Sequence, residues 1–302
     1  MISKFRIGVL VIILNFFASV AMIWGQDNPS LLQMAVPSLN IAPDARGGGM
    51  GDMGAATLPD INSQYWNAAK YAFMGSKAGV SLSYTPWLRK LVNDVALVNM
   101  TGYYKLGNSD LQAISASLRY FSLGEVNIWE NIGDVPYGLN PYEMAFDVAY
   151  SRKLSESYSM AVTLRYIRSD MGTDQNDESN AGNAFSADIS GYLEKYVLMG
   201  NAEALWSFGF NLSNIGSKIS YDGGNTNQYL PAKLTLGTGL LYPIDDYNQI
   251  GVYLDLNKYM VPYAPQKEEG ETDADYQTRV DDYKSWSSLS GMLKSFTDSP
   301  NG

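Results

Sequence analysis

From about residue 78 onward, apolar and small polar residues alternate with a period of two, segment after segment. A side-chain period of two belongs to β-strands and to no helix, so it constrains the fold more than any other feature of the chain. In AGVSLSYTPW, Val80, Leu82 and Tyr84 share one face, and Ser81, Ser83 and Thr85 the other. LQAISASLRYF places Ile114, Ala116, Leu118 and Tyr120 opposite Ala113, Ser115, Ser117 and Arg119. YEMAFDVAYS, YSMAVTLRYI, LWSFGFNL and QIGVYLDLN repeat the pattern, and weaker versions cover Asp94–Lys105, Phe185–Lys195 and Ala232–Leu241. The reading is about nine strands of roughly 8–12 residues, long enough to cross a bilayer at a tilt.

Two all-β architectures use such strands. A soluble antiparallel sandwich buries the apolar face and wets the polar one. An outer-membrane barrel turns the apolar face to lipid and lines its interior with the small polar face. The polar rows favour the barrel. They are mostly Ser, Ala, Gly and Thr, with one sparse charge in mid-strand: Arg119, Asp147, Arg165, Asp188 or Asp255. A solvated sheet face would carry more Lys and Glu. Tyr84, Trp87, Tyr103, Tyr104, Tyr120, Tyr150, Tyr166 and Tyr242 gather near strand ends, where an aromatic girdle belongs.

The N-terminus supports export. Lys4 and Arg6 precede the apolar run Ile7–Trp24, and polar GQDNPS follows. This reads as a signal peptide over 1–25, cleaved before Gln26 or Asp27. A retained anchor is the alternative, but Asn15 interrupts the run. Later in the chain no apolar run reaches the length of about 18 residues that a spanning helix needs. The remaining organisation is a Gly-rich segment or plug at 26–76, strands over 77–263, and an extracellular loop or helix at 264–302. In that last region Thr272 and Asp275 suggest a helix cap, and Trp286, Leu289, Met292, Leu293 and Phe296 keep a helical spacing that suits packing against the barrel mouth.

Composition excludes several chemistries. The chain has no Cys and no His, hence no disulfide framework, thiolate nucleophile, imidazole base or His-ligated zinc. A formal charge of −10 argues against a nucleic-acid partner. No carboxylate pair, metal cluster or cofactor motif stands out, so no cofactor and no catalytic residue are expected. One apparent exception is Gly49-Met50-Gly51-Asp52-Met53-Gly54, which spells G-x-G-x-x-G. A dinucleotide turn must follow a strand, open a helix and have an acid about 20 residues on. Here Pro37, Pro43 and Pro59 break the flanks, and the later position falls near Lys70. These glycines instead suit a segment that approaches another wall closely.

The stretch IAPDARGGGMGDMGAATLPDINSQYWNAAKYAF (Ile41–Phe73) resembles the N-terminal signature of the PorV family, outer-membrane barrels of the type IX secretion system. Asp44, Arg46, Gly47, Gly48, Gly49, Gly51, Trp66 and Asn67 carry the likeness. YWNAAK is similar to the W-N-P-A element of the wider FadL-like barrels, with Ala68 in place of proline. Phe121–Leu154 and Phe208–Leu240 resemble two further family blocks.

The resemblance implies an antiparallel transmembrane β-barrel of the FadL-like type, with about 14 strands when complete. About nine are legible here, so the sequence reads as C-terminally truncated. It also implies a non-enzymatic role in the outer membrane of a Gram-negative, Bacteroidota-like cell. Such proteins receive cargo bearing a C-terminal signal domain from a Sov/SprA-like translocon barrel. They deliver it to a surface attachment complex whose sortase-like member removes the signal and links the cargo to lipopolysaccharide.

Outer-membrane lipid is the other expected partner. Within that frame Arg119, Glu143, Asp147, Arg165 and Asp188 read as lumen charges, forming interior salt bridges or a substrate path. Val126, Ile128, Trp129, Val135 and Tyr137 make the Leu123–Pro141 loop more apolar than an idle loop, so it reads as a partner surface or as a flap on its own rim. A FadL-like channel for hydrophobic small molecules and a soluble adhesin are the competing functions.

Overall fold

The computed structural model describes residues 32–87, 89–90, 94–107, 110–129, 135–172, 181–224, 226–268 and 270–297. The expected signal peptide, the centre of the acidic 170–183 loop and the tip of the 123–141 loop lie outside them.

Nine strands form one antiparallel meander: β1 (Ala78–Pro86), β2 (Val95–Leu106), β3 (Gln112–Leu123), β6 (Tyr142–Lys153), β7 (Tyr158–Asp170), β8 (Gly182–Met199), β9 (Ala202–Gly216), β10 (Lys233–Pro243) and β11 (Gln249–Tyr259). A separate hairpin, β4 (Val126–Ile128) with β5 (Tyr137–Leu139), sits in the β3–β6 connection. The sheet is not closed: β1 and β11 each pair on one side. Its connections alternate in length. Short connections at 107–111, 154–157, 200–201 and 244–248 mark one end, and longer ones at 87–94, 124–141, 171–181 and 217–232 mark the other. That asymmetry is characteristic of outer-membrane barrels. Among the described residues no helix is long and apolar enough to cross a membrane, which leaves crossing by strands untouched.

The apolar rows face outward and the small polar rows inward. On β1, Val80, Leu82 and Tyr84 are exposed at 72, 71 and 64%. On the opposite rows of the other strands Ser115, Ser151, Ser159 and Thr163 are buried. Among the described residues no second sheet covers the outward rows. What buries the inward rows is the chain's own segment 32–76. Ser83 and Asp255 on the two edge strands and Gly209 between them all touch it. A sheet whose two edges reach the same short segment must curl around it. One expectation needs correcting. Tyr103 is not part of an outward girdle: it points inward, 5% exposed, and stacks on Tyr71 at 4.9 Å. Strand alternation allows only one of two adjacent tyrosines to face out, and that one is Tyr104.

The C-terminal region forms two helices, Asp273–Ser285 and Ser288–Lys294. Thr272 caps the first by accepting from the Asp275 amide at 3.2 Å. The expected packing of the whole apolar stripe does not occur. Met292 is buried, whereas Leu289, Leu293 and Phe296 are exposed.

Candidate functional site

The inserted segment and the inward charges form one polar interior. Working along the segment, Val36 takes a left-handed φ of 52°, which turns the chain into the 3-10 turn Pro37–Asn40. The Ser38 amide donates to Glu143 Oε2 at 3.0 Å, and Arg119 Nη1 donates to the Ser38 and Ile41 carbonyls at 2.7 and 3.1 Å. The Arg119 guanidinium also lies 4.5 Å from the Tyr65 ring centre. Arg119 and Glu143 thus hold the segment's entry to β3 and β6.

Asp44 caps the short helix Ala45–Gly49 by accepting from the Gly47 amide at 2.8 Å, and its other oxygen accepts from Trp66 Nε1 at 2.8 Å. Arg46 pairs with Asp60. In this glycine-rich stretch two positions serve packing. A Cβ on Gly47 or on Gly54 would sit 2.3 Å from the Trp66 indole, so both glycines give the ring room. Gly48 and Gly49 meet nothing within 4 Å, and Gly51 has φ +78°. Asn67, fully buried, donates from Nδ2 to the Ala55 and Gly191 carbonyls, both at 2.9 Å, and its Oδ1 accepts from the Ala69 amide at 3.1 Å.

The remaining lumen charges clasp the wall itself. Arg165 on β7 donates from Nε to Asp147 on β6 at 2.7 Å and from Nη2 to Asp188 on β8 at 2.8 Å. Asp188 Oδ1 accepts from the Asn214 amide on β9 at 2.7 Å. All three charged side chains are under a tenth exposed. Between this triad and the segment lies a cavity of about 30 Å³, bordered by Arg119, Asp147, Arg165 and Asp255. It has room for a water or two.

The partner-loop residues stand apart. Val126, Trp129 and Val135 are exposed, Ile128 is half-buried, and Tyr137 lies in β5. The structure does not bring Val126, Ile128, Trp129 or Val135 to the interior charges.

Some interior residues escape sequence reasoning. Lys70 is fully buried, donating to the Gly54 carbonyl at 2.8 Å and to Thr57 Oγ1 at 3.1 Å. A lysine in an alanine-rich run reads as solvent-facing, and nothing local contradicts that. Asp255 Oδ2 accepts from the Gly54 and Ala55 amides at 2.8 and 2.9 Å. The alternation already put Asp255 on the inward row; what it could not show is that its partners are these two amides.

Burial pulls the Lys70 ammonium down to about 8, with Asp60 opposing the shift. The folded value lies below the ordinary 10.5, so the unfolded chain binds more protons between the two, and stability rises with pH across that window. The stability difference between the wild-type protein and Lys70→Met should therefore grow, in favour of the wild type, by on the order of 2–3 kcal/mol from pH 8 to pH 10. Urea midpoints measured across that range check it; a difference that stays constant refutes the assignment.

These features have a match among known families. A family model described as "Type IX secretion system protein PorV" matches residues 25–267. No curated protein matches the chain. The matched span contains the inserted segment, all nine strands and the network that joins them. The chain therefore belongs to the PorV family, outer-membrane components of the type IX secretion system.

Proposed function

We propose that this protein is a non-enzymatic carrier that takes cargo with a C-terminal signal domain from the translocon barrel and passes it to the surface attachment complex. The observation that carries the reading is the filled interior. The inserted segment is bonded to strands at both edges of the sheet, and the adjoining interior cavity is only about 30 Å³. A wall packed solid in this way suits work done at its rim better than passage through its lumen. The long-loop end offers the grip: the β4–β5 hairpin with Val126 and Trp129 exposed there. An exposed Trp next to a strand is the type of side chain that dominates protein interfaces.

Loss of the gene should abolish surface display of many proteins while leaving uptake of lipids and aromatic compounds unchanged. Intact display with failed uptake would instead favour the channel. The finer expectation concerns the hairpin. Trp129→Ala combined with Val126→Ser should weaken binding of a purified signal domain about tenfold, with the strand content of the protein unchanged. Unaltered affinity would remove this hairpin from the contact surface.

A further inference from the structure

The second C-terminal helix lies on the outside of the sheet, not over its mouth. Met292 is buried in a cluster with Ala232 and Met260, and Leu212 and Leu234 pack against that cluster. Leu212 and Leu234 are cross-strand partners on the outward rows of β9 and β10, whose neighbouring inward positions Ser213 and Thr235 are buried. Lys258, the partner of Leu234 on β11, is outward too, and its Nζ lies 5.3 Å from the Phe296 ring. The helix comes close because Gly291 abuts Tyr229, where a Cβ would meet the ring at 2.7 Å.

Beside Met292, which is turned to the wall, Leu289, Leu293 and Phe296 stay 63, 72 and 52% exposed. They are spaced at i, i+4 and i+7, which makes one stripe. The stripe continues the outward row of β11, where Leu254 and Leu256 are exposed as well. At the other margin of the helix stands an aromatic and cationic cluster. Tyr283 meets both Tyr229 and Trp286 edge-on, and Lys294 Nζ lies 3.6 Å from the Trp286 ring centre. Tyr, Trp and Lys concentrate at the boundary between headgroups and acyl chains. The preceding helix, Asp273–Ser285, buries no residue and carries acidic side chains, as a water-exposed element should.

We propose that Ser288–Phe296 is an interfacial anchor that lies in the outer leaflet beside β9–β11, with Leu289, Leu293 and Phe296 among the acyl chains. This rests on the outward rows facing lipid, as the outer-membrane family assignment requires. The occupant is lipid because the stripe is continuous with a face already in lipid. The anchor sets the height of the long-loop end above the bilayer, and with it the position of any partner that docks there.

The chain has no Cys, so each engineered cysteine is unique. Leu293→Cys, Leu254→Cys and Asp282→Cys would be labelled with an environment-sensitive fluorophore in the whole protein, reconstituted in phosphatidylcholine vesicles. Quenching by lipid with a nitroxide high on the acyl chain would be compared with quenching by aqueous iodide. The Leu293 label should follow the Leu254 label, quenched by nitroxide lipid and several-fold less by iodide than the Asp282 label. A Leu293 label as open to iodide as Asp282, or one reached by neither quencher, overturns the anchor while the Leu254 control upholds the lipid-facing wall. If the Leu254 label is itself in water, the wall assignment fails and the anchor with it.

Discussion

Arg165→Met should cost about 3–5 kcal/mol of stability, the largest loss expected from any single charge change in this protein. Arg165 is the only cation bonded to Asp147 and Asp188 among the described residues, and all three side chains are nearly inaccessible. Removing it leaves two carboxylates facing each other in the wall with a hydroxyl from Ser117 and an amide from Asn214 as their remaining donors. Two buried like charges without a counter-ion are far worse than none. Adding Asp147→Asn and Asp188→Asn to Arg165→Met should therefore recover most of the loss, because a neutral interior of similar volume avoids the desolvation penalty. Urea unfolding of the reconstituted protein, followed by gel mobility, measures both steps. If the triple variant is no more stable than the single one, the network is not held together by charge.

Gly209→Ala should release the inserted segment from the wall. A Cβ there would sit 1.9 Å from the Ala55 carbonyl oxygen and 2.6 Å from its carbon. Both are backbone atoms and cannot swing aside as a side chain would. Relief requires moving the segment, which breaks the bonds from Asn67 Nδ2 to Ala55 and from Ser207 Oγ to Ala56. Overpacking of about 1–3 kcal/mol adds to about 1 kcal/mol for each lost bond. Trypsin cleavage after exposed Arg46 should accelerate by more than about tenfold, since about 1.4 kcal/mol already corresponds to a factor of ten. Gly48→Ala is the matched control. It lies in the same segment, meets nothing within 4 Å, and occupies a helical position where Ala is preferred to Gly. Equal cleavage rates in the two variants would show that the segment does not depend on close contact with β9.

Much of this architecture was legible along the chain. YEMAFDVAYS already assigns Phe146 and Val148 to one side of β6 and Asp147 to the other, and the structure keeps that assignment. The same alternation places Arg119, Arg165 and Asp188 inward. Ile41–Phe73 marked the family because its residues are locally contiguous. Other features were not legible, for identifiable reasons. Tyr103 and Tyr104 are chemically alike, and only strand phase separates the one that stacks on Tyr71 from the one that faces out. Lys70 gives no local sign of burial, because its acceptors, Gly54 and Thr57, lie on an irregular segment with no period to read. In the C-terminal helix the spacing identified an apolar stripe, but not that Met292 alone of it would be buried.

What the sequence by itself determined, wherever the alternation is clean, is sidedness: which residues look out from the sheet and which look in. That follows from the covalent geometry of an extended chain, whose successive side chains must point opposite ways whatever else the protein does. What only the tertiary structure decided is who meets whom inside. Asp255 bonds to Gly54 across 201 residues, Arg119 to Ser38 across 81 and Glu143 to Ser38 across 105. Such pairs share no period and no local motif. They come together only because the sheet curls until both its edges reach one short segment, and that curl belongs to the assembled sheet, not to any strand within it.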